Sequence, residues 1–282
     1  MHWPSWFDAS HVAGVGDASG SALVYDIDTG SPTSVTLPAR AAYSVANGHG
    51  AVAFSWPIDD AWPDTHYDYA VWDGSSLTKP HAGFAQAWSP DGSSLALFHQ
   101  FDGVREPSGW VSVVAWAGLG DRFSDAPPFA AGDVAFDPSS RYAVYDTDTA
   151  QDPDSYLTRV VDVQTGSVVD IDRHDAFGGF AYWTSNSNVA VIDHSSLEVY
   201  RPDGTRLSRT TAPFDVVAGS ADGSTQVFWR DGDNPSDELV VIRGGAQTKL
   251  YAPGDVQAVF PSPDGSRLVV STVADGTYLR AL

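Results

Sequence analysis

Short runs of apolar residues alternate with clusters of turn-forming residues along the whole chain. The runs, such as residues 95–97 and 268–270, are too short for core helices, and their spacing has no helical period. The 26 glycines and 18 prolines interrupt the sequence too often for long helices. This pattern predicts an all-β protein.

The clearest turn is Ser-Pro-Asp-Gly, which occurs at residues 89–92 and 262–265. Proline presets φ at the second turn position, aspartate bonds the local backbone, and glycine supplies the positive φ that returns the chain. Each copy is followed by an apolar strand. The motif therefore predicts a β-hairpin.

Degenerate copies of this turn begin at residues 8, 46, 137, 184 and 220, so that successive copies lie 36 to 48 residues apart. A second strand in each repeat ends in a polar turn, as at residues 160–166. Four strands, A to D, fit each period in the order A, tight turn, B, loop, C, turn, D. We predict a seven-bladed β-propeller of four-stranded antiparallel blades, with residues 1–282 as a single domain and six or eight blades as alternatives.

The two ends of the chain must meet if the ring closes. After the last turn, residues 268–272 and 277–282 provide strands B and C but no outer strand, so the last blade is expected to be incomplete. Residues 1–7 either form strand A of the first blade or close the last blade as its outer strand, which would protect an open edge. We expect the first arrangement because it completes the blade count.

The repeat also resembles a known family. An SPDG turn before a leucine-rich strand, with a later strand ending in a V-x-D-x-x-T-G-like turn, is similar to the WD40-like (PD40) repeats of TolB-type propellers and of prolyl-oligopeptidase-like peptidases. The resemblance implies the propeller fold. It implies little about function, because propellers carry many unrelated activities.

Charge narrows the possible partners. The chain has 36 acidic and 15 basic residues and a formal net charge of −21. Nucleic acids and anionic membranes are disfavoured, because both require clustered lysine and arginine. We find neither a signal peptide nor an apolar membrane span, so we expect a cytoplasmic monomer, or an exported one if the chain has been trimmed.

Two groups of aromatic residues stand at different places in the repeat. Trp88 and Trp183 precede A–B turns at matching positions, which is typical of packing between blades. The B–C connections are instead predicted to be long in four blades, at residues 57–68, 101–110, 146–155 and 231–238. Propeller topology places the B–C and D–A connections on one face, which we call the B–C face, and such loops often carry recognition.

We therefore predict that the B–C face binds a protein or peptide partner, and a cationic peptide or a sugar would suit its composition. Loops that bind no ligand are the alternative. The candidate binding residues are Trp62, His66, Tyr67, Arg105 and Trp110.

Carboxylates suggest a second kind of site. Asp133, Asp215 and Asp255 each open a strand A and are predicted to ring one mouth of the central channel, where they would hold a cation or simply bond backbone amides. Oxygen ligands also cluster in two B–C connections, so calcium or another divalent cation is possible, although no cofactor is predicted. The calcium candidates are Asp146, Asp148, Asp152 and Asp154, and Asp231, Asp233, Asn234 and Asp237.

Familiar catalytic motifs are missing from the sequence. It contains no G-x-S-x-G elbow, no H-E-x-x-H and no glycine-rich phosphate loop, and it has no cysteine. We therefore favour a non-enzymatic scaffold for protein or peptide binding. The alternative is a propeller that binds a small ligand, a carbohydrate or a cation, or a hydrolase with its site at the channel mouth.

Overall fold

A computed structural model describes most of the chain. The residues it describes are 2–16, 21–59, 66–100, 109–125, 134–149, 152–175, 179–184, 186–193, 196–211, 216–220, 224–230, 238–243, 246–251, 256–262, 264–272 and 276–282.

The strands fall into four sets by their position in the blade. The innermost strands, A, are β1 (His2–Trp6), β5 (Tyr43–Ala46), β9 (Phe84–Trp88), β13 (Ala135–Phe136), β17 (Gly179–Trp183), β21 (Val216–Gly219) and β25 (Val256–Pro261). The B strands are β2 (His11–Val15), β6 (Val52–Pro57), β10 (Ser94–Gln100), β14 (Tyr142–Thr149), β18 (Val189–Asp193), β22 (Thr225–Arg230) and β26 (Arg267–Thr272). The C strands are β3 (Ala22–Asp26), β7 (Tyr67–Trp72), β11 (Gly109–Ala115), β15 (Asp152–Asp162), β19 (Ser196–Tyr200), β23 (Glu238–Arg243) and β27 (Gly276–Ala281). The outermost strands, D, are β4 (Pro32–Val35), β8 (His81–Ala82), β12 (Asp121–Asp125), β16 (Ser167–Asp175), β20 (Arg206–Thr211) and β24 (Ala246–Tyr251).

The strands of one repeat, which follow one another in the chain from A to D, form one antiparallel sheet. The seven sheets are the blades of a β-propeller. In the part of the chain that the structure describes, six sheets have four strands, and the last sheet has the three strands β25, β26 and β27. Burial follows position: Val52–Trp56 of the B strand β6 are buried, whereas most of the D strand β24 is exposed. The predicted seven-bladed fold with an incomplete last blade is confirmed.

The core is divided among the interfaces between blades. In the described part of the chain, seven clusters of buried apolar side chains each join two neighbouring blades. Tyr145 of blade 4, for example, packs in one cluster with Val113 of blade 3, and both are fully buried. Each blade is therefore stabilised by its two neighbours, as the repeat predicts.

The seam is closed by the first strand. Strand β1 pairs with β2 and is strand A of blade 1, which confirms the expected arrangement. Across the seam the Trp6 indole N–H donates to the Phe260 carbonyl oxygen at 3.2 Å. Trp6 and Val12 also pack against Val269 of blade 7.

Aspartates organise the turns. Asp264 accepts hydrogen bonds from the Ser262 hydroxyl at 2.6 Å and the Ser266 amide at 3.0 Å, and these bonds hold its pKa at about 2. Asp73 similarly accepts from the amides of Ser75 and Ser76. These contacts show one structural use for the aspartate-rich composition.

Blade 4 corrects one sequence-based expectation. Residues 146–149 and 152–155 were expected in a long loop, but they extend strands β14 and β15, which pair as far as Thr149 and Asp152. Asp146 is consequently a buried strand residue that accepts a hydrogen bond from the Thr158 hydroxyl at 2.6 Å. The candidate calcium segment thus belongs to paired strands at residues 146–149 and 152–155, because the β14–β15 pairing continues to Thr149 and Asp152. The second calcium candidate, residues 231–237, lies outside the described residues.

The described residues form no helix that is long and apolar enough to cross a membrane.

Candidate functional site

A cavity of about 560 Å³ lies on the B–C face between blades 2 and 3. Aromatic side chains dominate its described lining. The lining residues are Tyr43, Ile58, His66, Tyr67, Ala82, Gly83, Phe84, Gln86, Phe98, His99 and Trp110.

Strand ends position most of these side chains. Tyr43 and Phe84 are the first residues of the inner strands β5 and β9, and Tyr67 is the first residue of β7. His99 and Trp110 are directly opposed in the β10–β11 ladder. Because ladder hydrogen bonds fix the backbone at these points, the cavity is built mainly on rigid elements.

Three rings form one wall of the cavity. The Phe84 ring meets Tyr43 edge to face with 4.5 Å between centroids, and Tyr67 lies 5.1 Å from Phe84 and 6.0 Å from Tyr43. Such edge contacts are a favoured geometry for aromatic pairs. Burial raises the pKa of Tyr67, with a further contribution from Tyr43, so the Tyr67 phenol stays neutral at pH 7.

A second wall is a stacked pair. The rings of His99 and Trp110 are nearly parallel, 12° apart, with 4.7 Å between centroids. His99 Nε2 also lies 2.7 Å from the Ser112 hydroxyl. Burial lowers the pKa of His99, and the Asp121 carboxylate opposes this shift only in part, so the imidazole is neutral at pH 7.

Glycine is required where the chain passes this stack. Gly83 joins strand β8 to β9 with φ +129°, a conformation that other residues rarely adopt. A Cβ at this position would lie 3.0 Å from Cε1 of His99. The absence of a side chain therefore allows the backbone to approach the imidazole.

The Asp59 carboxylate holds His66, the other histidine that lines the cavity. Asp59 Oδ2 lies 2.5 Å from His66 Nδ1, and Asp59 Oδ1 accepts from the His66 amide at 3.0 Å. The adjacent Ile58 amide donates to the His66 carbonyl, and the Ile58 side chain is 56% exposed at the rim. These bonds tie the two ends of the B–C connection of blade 2 together.

The structure brings together three of the predicted binding residues: His66, Tyr67 and Trp110 all line this cavity. The other two, Trp62 and Arg105, lie outside the described residues, as do the predicted cation ligands Asp133, Asp215 and Asp255. Within the described ranges, no group of three or more His, Asp or Glu side chains is placed to hold a metal ion.

Sequence reasoning missed other members of the cavity, notably Tyr43, Phe84 and His99. A signal for them exists in the repeat: A strands begin, and B strands end, on the same face as the B–C connections. Aromatic residues at those two positions could therefore have been added to the predicted site.

The cavity adjoins the central channel. A second space of about 680 Å³ is lined by inner strands, and Tyr43, Phe84 and Gln86 contribute to both spaces. The channel also receives polar side chains from the inner strands and A–B turns, including Ser5, Ser44, Asn47, Ser89 and Ser220. A ligand in the cavity would thus lie next to the channel opening.

Comparison with known proteins supports the fold. No protein-family model and no curated protein matches the chain. Among solved structures, a chain of Kuenenia stuttgartiensis hydrazine synthase is similar, with TM-score 0.66 and 12% identity over 99% of this chain and 94% of that one.

Two further structures connect the fold to the resemblance seen in sequence. TolB from Acinetobacter baumannii matches with TM-score 0.56 and 15% identity, over 93% of this chain and 73% of that chain. The β-propeller domain of the Trilobed protease from Pyrococcus furiosus, described as having an open velcro topology, matches with TM-score 0.61 and 12% identity, over 82% and 78%. At such low identity these likenesses establish the propeller fold alone.

Proposed function

We propose that this propeller is a binding module whose B–C face takes a peptide segment of a protein partner, with one side chain of that peptide inserted into the cavity between blades 2 and 3. The observation that carries the proposal is the aromatic lining, in which the Tyr43, Tyr67 and Phe84 cluster and the His99–Trp110 stack meet at a single cavity. Loops and strand ends on a rigid scaffold are common sites of recognition.

The size of the cavity suits one anchoring side chain with its flanking backbone. Its volume of about 560 Å³ lies in the range of roughly 300–1,000 Å³ that ligand pockets occupy. Buried aromatic residues dominate binding energies at interfaces, and truncation of such a residue commonly costs about 2 kcal/mol or more. Trp110, which is half-buried in the free protein, is the strongest candidate for this role.

A selection with random heptapeptides displayed on phage tests the proposal. The immobilised wild-type chain should enrich related sequences, and the Trp110→Ala variant should lose most of that enrichment. Tyr251→Ala is the matched control, because Tyr251 is an exposed aromatic residue, 57% accessible, on the outer strand of blade 6. It should enrich the same peptides as the wild type.

Two results of this selection would contradict the proposal. One is the absence of any enriched sequence on the wild-type chain. The other is equal enrichment on wild-type and Trp110→Ala chains, which would place binding elsewhere on the molecule.

The Asp59–His66 pair favours a second candidate function, the hydrolysis of a small ligand. A carboxylate on Nδ1 orients an imidazole and leaves Nε2 as the nitrogen that would accept a proton from water. Chromogenic esters and lactones would reveal this activity, which His66→Gln should abolish and His81→Gln, at an exposed histidine on β8, should not affect. No turnover, or turnover that survives His66→Gln, would exclude it.

A further inference from the structure

We infer that the side chain taken by the cavity is a cation, that of an arginine or a lysine in the partner peptide. The inference rests on the proposed function and names its ligand chemistry. It follows from the charge beside the cavity, from the nature of the described lining, and from the hydrogen-bonding groups that the lining residues carry.

Charge around the cavity favours a positive ligand. The whole chain carries a net charge of −21. Beside the cavity, the described residues of the two B–C connections are 57–59, 66–68, 109 and 110, and they include Asp59 and Asp68 and no lysine or arginine. A cationic segment would be attracted to this face, whereas an anionic one would be repelled.

The described lining itself adds no fixed positive charge. It contains neither lysine nor arginine, and its two histidines are a neutral His99 and a His66 whose Nδ1 faces the Asp59 carboxylate. A protonated His66 would therefore be balanced by its partner. An arginine or lysine entering the cavity meets no opposing fixed charge from these residues.

Aromatic rings supply the attraction within the cavity. The faces of tryptophan and tyrosine rings carry negative potential, and a cation within about 6 Å of a ring centroid is stabilised. Trp110, Tyr43 and Tyr67 line one small volume, so an inserted cation would lie near several rings at once. Arginine also stacks on aromatic faces through its planar guanidinium.

Polar atoms complete the recognition of an N–H donor. Tyr43, Tyr67 and Gln86 line the cavity, and each side chain carries an oxygen that can accept a hydrogen bond. A guanidinium has five N–H donors and an ammonium has three, whereas a hydrocarbon side chain has none. The cavity therefore combines apolar walls for the methylene stem with acceptors for the charged head.

Matched pentapeptides test the inference directly. The probes are acetylated and amidated Gly-Gly-X-Gly-Gly peptides in which X is arginine, citrulline, lysine, norleucine or glutamate, titrated into the full chain by isothermal calorimetry or ligand-observed NMR. Citrulline preserves the length of arginine without the charge, and norleucine preserves the four-carbon stem of lysine without the ammonium group. We expect arginine and lysine peptides to bind about tenfold tighter than their neutral counterparts.

Two variants test whether the preference for a cationic side chain depends on the cavity. The preference for arginine over citrulline should disappear in Trp110→Ala and remain in Tyr251→Ala. A preference that survives Trp110→Ala would reflect general attraction to an acidic surface and would overturn the inference.

The remaining outcomes separate this inference from the proposed function. If neutral or glutamate peptides bind as tightly as the arginine peptide and the binding requires Trp110, the preference for a cationic side chain is contradicted. The proposal that the cavity binds peptides is then retained. If no pentapeptide binds, the inference is overturned, while the phage selection decides independently whether the face binds peptides at all.

Discussion

Neighbouring blades are joined at the A–B turns by hydrogen bonds that recur around the ring, whereas the B–C face changes from blade to blade. Within the described residues, the bonds at the A–B turns use both side-chain and backbone atoms. They include Gly48 N to Trp6 O (2.9 Å), His49 Nε2 with Pro90 O (2.6 Å), Asp91 N to Ser140 Oγ (3.0 Å), Ser187 Oγ to Asp137 Oδ2 (2.9 Å) and Thr225 Oγ1 to Gly265 O (2.9 Å).

Tryptophan shows the same contrast. Trp6, Trp88 and Trp183 each end a strand A, and each indole N–H donates to a strand A carbonyl of the preceding blade, at 3.2, 3.0 and 2.8 Å. Trp110, by contrast, stacks on His99 at the cavity. The tryptophans at the repeated position thus join neighbouring blades, whereas Trp110, which is not at that position, lines the candidate site.

The largest expected effect is on stability at a repeated tryptophan. Trp183→Ala should lower the free energy of unfolding by about 3–5 kcal/mol, because a buried indole is replaced by a cavity. Trp183→Phe should cost about 1–3 kcal/mol through loss of the bond to the Ala135 carbonyl. Urea denaturation measures both, and a Trp183→Ala loss below that of Trp110→Ala would contradict the comparison.

Glycines in turns give a smaller, paired effect. Gly265 has φ +63°, and a Cβ there would collide with Thr225 Oγ1 of blade 6, whereas Gly30 has φ +68° and open space around it. Gly30→Ala should cost about 1 kcal/mol through its backbone conformation alone. Gly265→Ala should cost about 1–3 kcal/mol more, because packing between blades is disturbed. Equal losses in denaturant unfolding would show that the A–B turns of blades 6 and 7 are not tightly joined.

The smallest expected effect is a dependence on acid pH. Backbone bonds from Ser76 and Ser75 hold the pKa of Asp73 at about 2, and the Ser262 hydroxyl leads the same effect at Asp264. Since these values lie below the ordinary value of 3.8, the stabilisation is complete above that pH and is lost as pH falls toward 2.

Unfolding midpoints measured from pH 5 to pH 2 check this dependence. The wild type should lose stability across the lower part of the range, and an Asp73→Asn, Asp264→Asn double variant should lose less over the same interval. Identical slopes for the two proteins would mean that the turns contribute nothing to the acid response.

The fold was predictable because the repeat is a local signal. Ser-Pro-Asp-Gly at 89–92 and 262–265 fixes a turn by backbone chemistry, and seven such turns imply seven blades. The length of the blade 4 hairpin was not predictable, because Asp146 and Thr147 favour turns and strands respectively and cross-strand pairing decides between them.

The site was predictable only in part. The sequence predicted His66, Tyr67 and Trp110 in long connections and so assigned them to one face, although Tyr67 and Trp110 lie in strands β7 and β11. These residues share the cavity with Tyr43, Phe84 and His99. That arrangement depends on which blades are adjacent and on where the strands start and end, and both are properties of the assembled ring. Gly83 is similar, since its need for a small residue comes from His99, sixteen positions later in the chain.

Fluorine NMR of the chain labelled with 5-fluorotryptophan tests the central claim, that recognition uses the cavity and leaves the repeated tryptophans unaffected. The chain has ten tryptophans, so individual Trp→Phe variants would assign the resonances of Trp110, Trp88 and Trp183. Titration with a peptide enriched by the wild-type chain should shift the Trp110 resonance to saturation and leave those of Trp88 and Trp183 in place. Saturable binding that leaves Trp110 unshifted would contradict the account.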